Sequence, residues 1–270
     1  MENKFITANM CGGLGNQLFQ IGMVYCLSWE YDKQPVIKKI KSSPSIFNHR
    51  PVYWNNVFHK VNTVDDEKFN SISFEQMKEN FELEYKLSSD KSYLLDGYFQ
   101  YPFYLNKYRE KIIDLFSLPE DLMKSIKTKY QMINPDRLPS VAVHVRRGDY
   151  LQLQHFHVVQ PIEYFQSGIK SFSDEHLFIV FSDDIKWCQD HIKAKNIYFV
   201  SYIDAIDQLQ QDVFELFLMS LCDHQIISNS SFSWWGYWLN TNPDKKLIHP
   251  MRWFAVEPDN TRYMRLLFSK

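Results

Sequence analysis

The second half of the chain alternates short apolar runs with helix-like segments, and this alternation constrains the fold more than any other feature. Residues 141–145, 177–182, 197–201, 225–228 and 246–249 read as strands. Between them, residues 161–172, 185–192, 207–221 and a Trp-rich stretch from 231 carry helical spacing. In 207–221 the apolar Leu209, Val213, Leu216, Phe217 and Leu221 share one face. Strands separated by helices of about 10–15 residues build βαβ units, whose crossovers make the strands parallel and cover both sheet faces. A Rossmann-like α/β unit is the expectation for this half.

The first half is less regular. Residues 5–10 read as a strand, 17–29 as an apolar helix, 35–40 as a short strand and 93–99 as another. Helices follow near 101–115 and 120–131, while 42–92 shows only weak periodicity. Two prolines in 134–139 mark a linker, which divides the chain into 1–133 and 140–270.

Open parallel sheets collect ligands outside the carboxyl ends of their strands. Three polar segments follow strands of the second half and are expected on that edge. The first is His144-Val-Arg-Arg-Gly-Asp-Tyr150. A guanidinium meets a phosphate through two parallel charge-assisted hydrogen bonds, so Arg146 with His144 reads as an anion clamp that Asp149 can brace. The alternative is an ion pair under a turn, and Arg147 is open to that role. The second segment is Ser182-Asp183-Asp184. It either caps the following helix or offers a carboxylate, Asp183, to the N–H edge of a guanine. The third, Ser228-Asn229-Ser230-Ser231-Phe232, opens a helix. Its hydroxyls and backbone N–H groups suit an anion, or simply an N-cap.

In the first half, Cys11-Gly-Gly-Leu-Gly-Asn-Gln-Leu-Phe-Gln20 is a glycine-rich turn between a short strand and an apolar helix. Its GGxG spacing matches neither GxGxxG nor the P-loop. Asn16 is either an N-cap or, with Gly13 and Gln17, a ligand contact. His155 and His157 have HxH spacing without a carboxylate partner, so metal ligation is not expected.

Composition narrows the partners. A formal net charge of −2 gives no basis for nucleic acid or an anionic membrane. Four scattered cysteines, at 11, 26, 188 and 222, form neither a disulfide framework nor a zinc pattern. No apolar run reaches the ~18 residues of a spanning helix. The first residues lack the layout of a signal peptide, which implies a cytoplasmic protein.

Read together, His144-Val-Arg-Arg-Gly-Asp-Tyr150, the glycine turn, Asp96-Gly-Tyr-Phe-Gln100 and the Ser228–Asn240 segment followed by His249-Pro-Met-Arg-Trp-Phe254 resemble the bacterial and viral α-1,2-fucosyltransferases of glycosyltransferase family 11. The resemblance implies two Rossmann-like domains facing a cleft, a GT-B arrangement, with 1–133 on the acceptor side and 140–270 binding the GDP-sugar. It implies inverting transfer of L-fucose from GDP-fucose to the 2-hydroxyl of a galactose-terminated glycan, independent of metal. Arg146, His144, Asp149 and Asn16 would be catalytic. Gly13, Asn16, Gln17, His144, Arg146, Asp183, Asn229, Ser230, Ser231 and Phe232 would bind the donor. Asp96 and Gln100 are further sugar contacts on this reading, and His157 has a place near the cleft. Asp149, Asp96 and His157 stay open as the base. A related GDP-6-deoxyhexose or L-galactose transferase, or an inactive carbohydrate-binding relative, are the alternatives. Tyr237 departs from the family pattern, where a small residue is usual.

Overall fold

A computed structural model describes residues 4–45, 48–79, 84–204, 206–207, 209–256 and 260–268. Contacts divide the chain into two units, Met1–Leu118 with Arg265–Lys270, and Pro119–Met264. The first contains β1 (Phe5–Ala8), α1 (Leu14–Glu30), β2 (Gln34–Pro35), β3 (Ile37–Lys38), β4 (Thr63–Val64), α2 (Asp66–Asn70), β5 (Phe74–Lys78), β6 (Ser92–Asp96), α3 (Phe103–Lys107) and α4 (Arg109–Leu115). Its main sheet has the order β2-β1-β6-β5, all parallel, and β3 pairs with β4 apart from it. Helix α1 is buried from Leu14 to Ser28 except at Asn16, which is why its sequence is apolar nearly all round. Strand β5, inside the stretch of weak periodicity, is an edge strand of half-buried and exposed residues. An edge needs little apolar pattern, so it left little signal.

The second unit contains α5 (Glu120–Ile133), β7 (Ser140–Val145), a 3-10 turn at Asp149–Leu151, α6 (Ile162–Lys170), β8 (Leu177–Ser182), α7 (Ile185–His191), β9 (Asn196–Phe199), α8 (Gln211–Leu221), β10 (His224–Ile226), α9 (Ser231–Leu239) and β11 (Leu247–Ile248). Helix α10 (Asn260–Phe268) ends the described chain. The sheet order is β11-β10-β7-β8-β9, parallel throughout, as the alternation predicts. Central β7 is buried at all six positions. Val141, Val143 and Val145 pack with Phe165, Phe178, Val180 and Ile226. Each such side chain contributes roughly 1.5–3 kcal/mol on burial.

The boundary differs from the one the prolines mark. Helix α5, read as part of 1–133, lies in the second unit, packed on α8 with Ile126 and Ile133 buried. An apolar helix face follows the surface that buries it, and the prolines punctuate only the loop beyond. Tyr130 and Ser140 then join across that loop through their hydroxyls at 2.7 Å.

Candidate functional site

Register places the second unit's polar segments on one edge. Val145 lies opposite Ser182 on β8, and Val143 opposite Ile226 on β10, so the chain leaves all three strands together. Ser228 ties two of the exits: its hydroxyl donates to the His144 carbonyl at 2.8 Å and accepts the Arg146 N–H at 3.0 Å.

Arg146 is held from two sides. One Nη donates to Asp149 Oδ1 at 2.7 Å and the other lies 3.0 Å from Asp183 Oδ2. Its guanidinium sits over the Tyr150 ring at 5.5 Å. Desolvation works to lower its pKa, but Asp183 and Asp149 outweigh it, so the net direction is up. The group therefore stays cationic in a pocket that restrains its rotamers, and two of its five N–H donors are taken. Asp183 has a second contact, accepting the Arg147 N–H at 2.9 Å through Oδ1. Both its oxygens thus have partners within the protein, and one of them braces Arg146. Gly148 allows this approach, since a Cβ there would lie 2.5 Å from Asp183 Oδ2.

Arg147 takes the structural role. Its Nε bonds Asp184 at 3.1 Å and its guanidinium stacks 3.9 Å above Trp187. Asp184 also caps α7 by accepting the Trp187 N–H.

His144 is buried, 5.5 Å from the Phe232 ring. Desolvation, and then the Arg146 charge, push its pKa down to about 3, so the imidazole is neutral at physiological pH. Its Nδ1 is buried without a hydrogen-bond partner. A buried polar atom in that state calls for an explanation, and ligand binding is one.

The Ser-Asn-Ser-Ser-Phe segment opens α9 as expected, with Ser230 as an N-cap whose side chain makes no capping bond. Asn229 does not reach outward. It is buried, its Nδ2 donates to the Trp253 carbonyl at 2.7 Å and its Oδ1 accepts from Gln160 at 3.0 Å. The Tyr150 hydroxyl donates to the Asn229 carbonyl at 2.8 Å. Asn229 thereby ties the back of the segment, read above as a donor contact, to three other parts of the unit. His157 stacks on Tyr150 at 4.0 Å, and desolvation moves its pKa down to about 4. Trp234, Trp235 and Trp238 are buried against one another, so packing is their role. Tyr237 lies under the Lys245 ammonium at 4.3 Å.

In the first unit the glycine turn follows β1. Gly13, not Asn16, is the N-cap of α1. Gln17 does not reach outward either: it is fully buried, and its Nε2 donates to the carbonyls of Gly12 at 3.0 Å and Pro51 at 2.9 Å. Asn16 is half-buried and accepts from Gln100 Nε2 at 2.7 Å through Oδ1. Gly12 has φ +80°, and a Cβ there would collide with Asn16 Nδ2. Asp96 accepts from Gln76 at 2.8 Å.

Several residues given no role in the sequence reading shape these loops. Gln20, fully buried, accepts the Cys11 N–H at 3.0 Å and donates to the carbonyls of Asn9 and Gly97. Ser43 donates to Gly12 at 3.0 Å. Two glutamines in an otherwise apolar helix were the available signal, because a buried polar group is more informative than an apolar one. Glu215 on α8 carries a carboxyl that burial pushes up to about 7, with Asp212 and Asp183 adding to the rise. Among the described residues no cluster of three His, Cys, Asp or Glu is arranged to hold a metal ion. No helix among them is long and apolar enough to cross a membrane.

The sequence profile of Glycosyl transferase family 11 matches residues 2–258. An Escherichia coli O-antigen biosynthesis glycosyltransferase, WbnK, is 29% identical over 91% of this chain and 94% of its own. An Escherichia coli alpha-1,2-colitosyltransferase is 27% identical over 96% and 95%. Bovine galactoside alpha-(1,2)-fucosyltransferase 1 is 30% identical, but over 48% of this chain and 39% of its own. Among solved structures, the fucosyltransferase NodZ from Bradyrhizobium superposes with a TM-score of 0.58 at 12% identity, covering 87% of this chain and 92% of that one. POFUT1 in complex with GDP-fucose gives 0.52 at 13% identity, covering 92% and 98%. Both are likenesses of fold, and both are GT-B-like. The chain belongs to glycosyl transferase family 11.

Proposed function

We propose that this family 11 glycosyltransferase moves L-fucose from GDP-fucose to the 2-hydroxyl of a galactose-terminated glycan, with inversion at the anomeric carbon and without a metal. The observation that supports this most is the cationic Arg146, braced by Asp149 and Asp183 beside the neutral, unpaired His144. GDP-fucose has a β-linked leaving group and the product bond is α, so departure of GDP builds negative charge on the β-phosphate as the sugar becomes oxocarbenium-like. Arg146 compensates that charge where it develops, and its carboxylate braces mean that little reorganisation is needed at the moment of reaction. On this reading His144, neutral beside Arg146, supports the clamp on the nucleotide. The opening turn of α9, from Ser230 through Phe232, lies beside the phosphates, where a helix N-terminus favours anions. On this reading Gly13 and Asn16 of the glycine turn are donor contacts, and Gln17 shapes that turn from within.

The test is GDP release from GDP-fucose with EDTA present, with and without lactose as a β-galactoside. Acceptor-dependent release supports a metal-independent fucosyltransferase. Release only after a divalent cation is restored removes the metal-independent part. No release with lactose, N-acetyllactosamine or an O-antigen repeat defeats the assigned donor or acceptor.

A second reading has its own observation. The similarity to a protein named as a colitosyltransferase favours another GDP-6-deoxyhexose as donor. Turnover of such a sugar nucleotide in preference to GDP-fucose, in a donor panel, selects it.

A further inference from the structure

One carboxylate of the first unit has no place in the reaction drawn above. Glu79 follows β5 at its carboxyl end, with its own N–H on the Asp96 carbonyl at 3.0 Å. Its Oε2 accepts the Tyr98 N–H at 2.9 Å, and the N–H groups of Phe99 and Gln100 bond the same side chain. Three consecutive backbone N–H groups converging on one carboxylate form an anion nest, occupied here by the protein's own side chain. Burial raises the carboxyl's pKa, against these three bonds that favour the anion.

The backbone of the nest is unusual. Gly97 has φ +149°, and a Cβ there would lie 2.5 Å from Glu79 Cβ. Phe99 has φ +52°, in the left-handed region that a bulky residue avoids. A residue held there costs about 1–3 kcal/mol and persists only where its surroundings over-determine it. The Phe99 side chain is itself fully buried, so packing and the nest hold the turn from opposite sides.

The turn leads to the glycine loop. Its last residue is Gln100, whose Nε2 donates to Asn16 Oδ1 at 2.7 Å, and Asn16 Nδ2 lies over Gly12. The Tyr98 hydroxyl hydrogen-bonds the Cys11 side chain, and Gln20 joins Gly97 to Cys11. A path of direct bonds thus runs from Glu79 to Asn16, a donor contact on the transfer reading.

We infer that Glu79 is a positioning residue for glycosyl transfer: its carboxylate fixes the Tyr98–Gln100 turn, so that Gln100 sets the orientation of the Asn16 side chain in the glycine turn. The inference rests on the transfer reading for the role of Asn16, and on geometry alone for the coupling.

Glu79→Gln preserves size but turns an amide NH₂ toward donors that need an acceptor. Its kinetics are compared with the parent on GDP-fucose and lactose, alongside GDP affinity and backbone hydrogen exchange. A misplacement of about 1 Å lowers rate by about 10²-fold, so kcat is expected to fall by about 10- to 100-fold. The KM for GDP-fucose and the affinity for GDP stay within about 2-fold, as expected for an interaction made only in the transition state. Exchange accelerates at residues 98–100 and also at 11–17. Unchanged kcat in the variant overturns the inference, and so does acceleration confined to 98–100. A kcat loss accompanied by an equal loss of GDP affinity reduces Glu79 to a structural residue. If the parent transfers no sugar, the transfer reading falls, while exchange at 11–17 still decides whether Glu79 holds Asn16.

Discussion

Replacing Arg146 by alanine should separate catalysis from stability, because the arginine serves both. The side chain lies between Asp149 and Asp183 and is about a quarter exposed, at 26%. Breaking a fully buried pair costs about 3–5 kcal/mol. Partial exposure lets water and ions screen the two carboxylates left behind, which reduces this to about 1–2 kcal/mol. Asp183 also keeps the Arg147 N–H at 2.9 Å, so it is not stripped of partners. The catalytic loss is larger. Removing one preorganised donor to a developing oxyanion costs about 10²–10³ in kcat, and Arg146 carries a full charge as well, so at least ~10² is expected. Adding Asp183→Asn to Arg146→Ala resolves the two effects. The amide still accepts from Arg147 through its oxygen and no longer repels Asp149, so melting temperature should recover while turnover does not. GDP release and thermal unfolding are measured on the parent, both single variants and the double. Turnover of Arg146→Ala within about 3-fold of the parent, a difference of less than 1 kcal/mol, would refute the clamp. Turnover restored by Asp183→Asn would show that the loss came from strain alone.

Titration of His144, His157 and Glu215 should shape stability against pH. Unfolded histidine takes up a proton near pH 6.5, whereas folded His144 and His157 do so only at about 3 and about 4, so stability is lost as pH falls from 6.5. His157→Phe keeps the stack on Tyr150 and should flatten that limb between about pH 4 and 6.5, read as urea midpoints across pH. Glu215 acts oppositely: protonated in the fold up to about 7 against 4.5 for the ordinary side chain, it loses stability as pH rises through that window. Its full span is about 3 kcal/mol, and Glu215→Gln should remove it. Gly148→Ala should displace Asp183 from Arg146 and lower kcat with a stability loss of about 1–3 kcal/mol, so unchanged kinetics would contradict the close approach. Gly12→Ala combines the positive φ with a clash on Asn16 Nδ2 and should cost more than 1 kcal/mol, measurable as a fall in melting temperature.

The sequence by itself determined the parallel sheet of the second unit. Its central strands β7 and β8 are mostly apolar and nearly all buried and its helices periodic, because a strand covered on both faces writes burial into its residues. For the same reason the edge carrying His144, Arg146 and Ser228 was legible: each motif follows a strand. The capping of α7 by the Ser182–Asp184 segment was local enough to read as well. Elsewhere the chain was silent because the deciding partner is distant in sequence. Strand β5 is a half-exposed edge defined by its pairing with β6. Helix α5 belongs with the unit whose α8 buries it, whatever prolines follow. Asp183 and Glu79 are ordinary acidic residues until the fold brings one to Arg146 and wraps a turn around the other. Gln17 and Asn229 look like ligand contacts in their motifs, and the fold adds partners the motifs do not show: Gln17 Nε2 donates to the carbonyls of Gly12 and Pro51, and Asn229 pairs with Trp253 and Gln160. Periodicity reports whether a side chain is buried. Which group satisfies a buried polar atom depends on three-dimensional proximity, and only the tertiary structure decided that.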